Sequence, residues 1–187
     1  MPNLTPEGRL ALIDDIQRNY SFELLIPDIG TMTDKEIDQE GFAIRCKNAA
    51  IPSRGITTID SYFHGMKQVF PSRPDLTNAL AVSVDETEDQ IVMKSIYAWR
   101  QKIFDIDPDS TTAGYSKAMN KRSVSTTIIL RQYKYNGVAV DNDIHFINSW
   151  PSNMGDVALD MSGDGKVMYD ITFTWDYWIL KPSSSGT

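Results

Sequence analysis

The chain has 187 residues, 41% of them apolar and 23% charged, with 18 Lys and Arg against 25 Asp and Glu for a formal charge of −7. That length and composition suit one domain with one core, and they exclude disorder of the whole chain, a span of about 20 uninterrupted apolar residues and a surface that grips nucleic-acid phosphates. One cysteine, Cys46, and two histidines, His64 and His145, exclude an internal disulfide and leave little for a zinc or histidine metal site, so neither a metal nor a cofactor is expected.

The N-terminus, MPNLTPEGRL, lacks the basic-then-apolar run of a signal peptide, so the reading is a soluble chain made in a cytoplasm, with no membrane insertion. Thr5-Pro6 followed by Leu10, Ile13 and Ile16 predicts a short helix at about 6–18. SFELLI, 21–26, alternates and stops at Pro27, which predicts a half-buried strand. Residues 28–40 hold five acids and one Lys and read as an exposed connection. FAIRCKNAAIP, 42–52, alternates Phe42, Ile44 and Cys46 with Ala43, Arg45 and Lys47 and predicts a strand with one wet face. From 53 to 75 the chain is rich in Gly, Pro and Arg yet carries Ile56, Ile59, Tyr62, Phe63, Val69 and Phe70. That is more apolar matter than a solvated loop holds, and the expected hairpin wants a partner.

ALAVSV, 79–84, is a further strand, and Thr87 with Gln90 forms a capping-box pattern ahead of a helix at 87–104. Ile91, Val92, Ile96, Trp99, Ile103 and Phe104 trace one face, with acids leading and Lys94, Arg100 and Lys102 following. A polar connection, 105–123, precedes a β-branched run at 123–135 that ends at Asn136-Gly137. DIHFINSWP, DVALDM and KVMYDITFTWDYW complete the strands, the last two joined by SGDG at 162–165, and KPSSSGT, 181–187, reads as a flexible tail. The class is mainly β, an antiparallel sandwich or barrel with one packed helix, in a single domain over 1–187.

Searches for chemistry come back thin. No G-x-S-x-G, glycine-rich phosphate loop or two-histidine motif occurs, and Cys46 has no local His, so no catalytic residue is assigned and an enzyme is not the reading. Asp160 to Gly165 matches the front half of a calcium loop, but position 12 is Ile171, so a polar hairpin turn is the simpler reading. Trp175 and Tyr177 share a strand face with Phe173 and Ile171 and are expected in the core, leaving Trp178 on the opposite face. A carbohydrate-binding β-sandwich using Trp150 and Trp178 is the distant alternative. Charge is segregated: residues 110–140 hold Lys117, Lys121, Arg122, Arg131 and Lys134 and no acid, whereas 141–187 hold seven Asp against two Lys.

Ser149-Trp150-Pro151-Ser152-Asn153-Met154-Gly155-Asp156, followed by Val157 to Asp160 and a terminal strand with Asp176-Tyr177-Trp178, resembles the C-terminal half of the tail tube protein of contractile-tailed bacteriophages. Arg45 to Pro52, the hairpin after it, the acid-led helix and Arg131-Gln132-Tyr133 are also similar to that family, so the likeness spans roughly 20–180. The resemblance implies a structural virion protein of the phage tail, assembled in the host cytoplasm. It implies homo-hexameric rings with a continuous β-barrel wall, stacked into a conduit for DNA and serving as a template for the sheath. Sheath, baseplate and tail terminator proteins would be its partners, and DNA would pass through the lumen without sequence-specific binding. The hairpin at 53–75 would touch the neighbouring ring. Departures at 28–40, 105–122 and the C-terminal tail also fit a tube initiator, a terminator, a baseplate protein with the same fold, or the inner tube of a related contractile injection system. A conduit should not hold DNA by a positive stripe, so the basic segment is expected to meet acids such as those at 85–89 or 28–40, within or between subunits.

Overall fold

The computed structural model describes residues 20–33, 37–76, 78–104, 120–134, 137–157, 159 and 165–183. The helix expected at 6–18, most of the 105–123 connection and most of the calcium-like turn lie outside them. Elements follow in the order β1 (Phe22–Leu25), α1 (Ile29–Met32), α2 (Gln39–Arg45), β2 (Cys46–Ala49), β3 (Arg54–Phe63), β4 (Met66–Leu76) and β5 (Ala79–Asp85). Then come α3 (Ile91–Ile103), α4 (Lys121–Val124), β6 (Thr126–Gln132), β7 (Asn142–Met154), β8 (Met168–Thr174) and β9 (Tyr177–Pro182). Among the described residues all pairings are antiparallel: one path runs β1-β6-β7-β8-β5-β2 with β9 also on β7, and β3 pairs only with β4. This is the mainly β, antiparallel architecture that the alternation predicts.

The two long terminal strands turn a corner together. Asn142 to Ile147 of β7 pair with β9 and Trp150 to Met154 pair with β8, and the register of the two ladders is continuous across the break. In that register Asn148 lies opposite Asp176, and Asn148 takes a left-handed φ of 55°, a conformation that Asn tolerates better than most residues. Asp176 holds the bend: its main-chain N–H donates to the Ile147 carbonyl at 3.0 Å, and its carboxylate accepts from Asn148 Nδ2 at 2.8 Å and from Lys121 Nζ. Before the corner Ile144 and Phe146 face the core, and after it Ser149 and Pro151 do, so the inward parity flips.

That flip corrects one expectation. Trp175 is buried and packs its ring 5.8 Å from Phe146, but Tyr177 is half exposed, and Trp178, opposite Phe146, packs against the core. Strict alternation through Asp176 assigns the last two residues to the wrong faces.

Five other expectations change. Residues 39–45 form α2 rather than strand, because Asp38 caps it by accepting from Gly41 N at 2.7 Å, and Phe42 and Cys46 are then i and i+4 on one inward face while Ile44 is exposed. The acidic stretch 28–40 is not merely a solvated connection: Ile29, Met32, Thr33 and Ile37 are buried in it. The described part of DVALDM, 156–157 and 159, is irregular and not a strand. Lys181 and Pro182 belong to β9 rather than to a tail. The helix expected at 87–104 spans 91–103 and is capped differently. Gln90 is left-handed and provides no side-chain cap, while the Glu86 carboxylate accepts from Val92 N at 3.1 Å and Met93 N at 2.8 Å.

The core lies between the sheets and α3. Trp99 and Ile96 of α3 pack with Leu80, Val82, Phe146, Phe173 and Trp175, and the buried Trp99 indole donates to the Val124 carbonyl at 2.8 Å.

Candidate assembly interface

β3 and β4 form an arm of two strands paired from Arg54↔Leu76 to Phe63↔Met66. His64 and Gly65 connect them with φ of 48° and 77°, the two positive values that a two-residue hairpin turn needs to match strand twist. Pro71 and Pro74 are tolerated because no further strand pairs with β4. Among the described residues the arm packs extensively on no other element. Ten residues of strand at about 3.3 Å each give it a reach of roughly 33 Å.

Every residue that the sequence marks for a partner is on this arm and at least half exposed: Ile56, Ile59, Tyr62, Phe63, Val69 and Phe70. The register divides them. Ile59 pairs with Phe70 and Phe63 with Met66, so these four share one face, separated only by Ser61 and Gln68. Tyr62 and Val69 lie on the other, with the Asp60–Lys67 ion pair at 2.8 Å, and Ile56 lies beyond an irregularity that follows it. Met66, 66% exposed, belongs to the apolar face and was missed by the sequence reading. The signal for it was the two-residue turn at His64-Gly65, which sets Met66 opposite Phe63.

The second marked group gathers at the corner. Trp150, Pro151 and Asn153 follow Asn148 along β7, and Asp176, Tyr177 and Trp178 run opposite. At Gly155 the main-chain N–H donates to the Asp170 carbonyl at 2.7 Å, and a Cβ there would sit 3.3 Å from that oxygen, which favours glycine. Trp150 is half-buried and Trp178 packs against the core, so they do not form the open aromatic platform that a sugar-binding face requires.

Electrostatics tie the same strands. Among the described residues the basic segment meets acids of 141–176 within the subunit, where acids of 85–89 or 28–40 were the expected examples. Arg131 grips Asp143 through Nε and Nη2 at 2.9–3.2 Å, Lys134 reaches Asp141 at 3.3 Å and Lys121 reaches Asp176. Antiparallel pairing of β6 with β7 brings the two segments together. Lys121 and Asn148 hold the Asp176 carboxyl below its usual range. Asp85, between Lys166 and Lys47, is also lowered, chiefly by Lys166. Burial pushes the Cys46 thiol up to about 11, which is the reverse of an activated nucleophile. Among the described residues no group of three His, Cys, Asp or Glu is placed to hold a metal ion.

The profile of one family, described as phage tail tube protein, matches residues 16–181. No curated protein sequence matches the chain. The fold is similar to the tube-terminating cap of the anti-feeding prophage, with a TM-score of 0.59 and 14% identity over 90% of this chain and 92% of that one. It is also similar to a chain of the PVC extracellular contractile injection system sheath–tube complex in the extended state, with a TM-score of 0.56 and 14% identity over 96% and 99%. A chain of the anti-feeding prophage baseplate gives 0.55 and 10% identity over 89% and 95%.

Proposed function

The chain belongs to the phage tail tube protein family, and from that premise we propose that it is the subunit of a contractile tail tube. Six copies close into a ring, rings stack, and the lumen conducts DNA while the outer wall templates the sheath. Sheath, baseplate and terminator proteins are its partners, and its place is the virion after assembly in the host cytoplasm. The observation that carries this reading is the arm. A sheet of two strands with apolar residues exposed on both faces is a liability in a monomer and is relieved by burial against another copy. The reading needs no active site. A tube also requires two kinds of heterologous contact, one that closes and one that does not.

The cap and baseplate chains have scores close to that of the sheath–tube complex chain, so a tube initiator or terminator shares this fold support. Self-polymerisation separates them. Electron microscopy of the purified protein should show rings and hollow tubes that lengthen with concentration. An Ile59→Asp, Phe63→Asp variant should keep the wild-type melting temperature and lose the tubes, because both side chains are exposed. A monodisperse wild-type monomer at high concentration would overturn the assignment, and unchanged tubes from the double variant would remove the arm from it.

A further inference from the structure

The arm is not the only exposed apolar surface. On the outer side of α3, Met93 and Tyr97 face Met154, Leu159 and Tyr169 across a cavity of about 360 Å³, with Arg100 and Asp156 at its rim. Leu159 is 85% exposed and Tyr97 50%, so the strip is open to a partner. A second depression continues it past Glu86 and Glu88.

Arm and groove lie at opposite ends of the same strand. β5 begins at Ala79, close after the arm's last residue, Leu76, and ends at Asp85, beside the Glu86 that lines the groove's continuation. Seven residues of strand separate the two ends by roughly 20 Å at about 3.3 Å per residue. The arm leaves from the Ala79 end, and its reach exceeds that separation. Charge is complementary as well. Arg73 on the arm has no ion pair with a described residue, and neither do Glu88 and Asp156 at the groove.

We infer that the groove between α3 and Met154, Val157 and Leu159 receives the Ile59, Phe63, Met66, Phe70 face of the arm from a second copy of this chain in the adjoining ring. The inference rests on the tube reading and adds the receiving site to it. An insert at one end and a receptor at the other make a head-to-tail contact that repeats without closing, which is the axial contact a tube needs. Met93, Met154 and Met66 are flexible enough to pack an irregular seam, and Arg73, towards the base of the arm, meets Glu88 and Asp156 at the boundary between copies.

The test uses the full chain in two variants. Met93→Glu, Tyr97→Glu changes only exposed positions of α3 and should melt like wild type; the second is the Ile59→Asp, Phe63→Asp arm variant. Each alone should give single rings and no tubes. Mixed in equal amounts they should give stacks of two rings and no longer, because one supplies an intact arm and the other an intact groove. Assembled wild-type-length tubes of a Phe63→Cys, Tyr97→Cys protein should show disulfide-linked chains on a non-reducing gel. If the groove variant makes tubes of wild-type length while the arm variant makes none, the arm reading stands, the groove receives some other chain, and the inference is overturned. Tubes of the cysteine protein without cross-links overturn it too. Absence of rings and tubes from the wild type would instead remove the reading beneath it.

Discussion

Asp176 joins three groups that no local pattern links: Asn148 across the ladder, Lys121 at the start of α4 and the Ile147 carbonyl. Its folded-state carboxyl is lowered, so its contribution is complete above the ordinary carboxylate value near 4 and is lost as pH falls through the lower folded value. Asp176→Asn should cost about 1 kcal/mol at pH 7, given that the Lys121 pair is partly exposed and screened. Urea midpoints of the two proteins should converge in acid, and a constant difference down to pH 2 would contradict the assignment. Trp175 and Tyr177 are two residues apart and opposite in burial, at 1% and 50% exposed. Trp175→Ala should cost about 3–5 kcal/mol, whereas Tyr177→Ala should stay within about 1 kcal/mol, a contrast that thermal melts read directly.

At the scale of elements, α3 shows how a helix start is decided by groups outside the helix. Thr87 and Gln90 have capping-box spacing, yet Glu86 reaches back over the first turn and accepts from Thr87, Val92 and Met93 main-chain N–H groups. A carboxylate at that position also complements the helix dipole. Glu86→Ala should therefore lower stability by about 1 kcal/mol, more than Thr87→Ala, and equal effects in chemical denaturation would restore the capping box. The arm follows the opposite logic. Its strand character is local, set by alternation and a two-residue turn, and among the described residues it packs extensively on no other element.

Over the whole molecule, the charge segregation of the sequence is cancelled by topology. β6 carries Arg131, β7 carries Asp143, and their antiparallel pairing brings the two together, with the Asp143 side chain 2% exposed. An acid buried this deeply depends on its partner, so Arg131→Met should cost about 3–5 kcal/mol. Arg131→Met with Asp143→Leu should recover most of that, and a double variant as unstable as the single one would show that the pair is not the cause. Raising salt should weaken the exposed Lys134–Asp141 and Lys121–Asp176 pairs and leave the buried one largely intact.

Alternation and turn chemistry, both local, determined the strands β1, β5, β6 and β8, the arm and its apolar residues, and the face of α3, because each depends on residues within one or two turns of chain. The tertiary structure alone decided what depends on distant partners. Phe42 is taken into the core while Ile44 stays exposed, Ile29 and Ile37 are buried although they sit among acids, and Trp178 turns inward where Tyr177 was expected. That last exchange has one cause: Asn148 and Asp176, 28 residues apart, bend two paired strands together and reverse which side of each faces the core. A period of two can be read along a strand, but a corner that resets it is fixed only by the strand across the ladder.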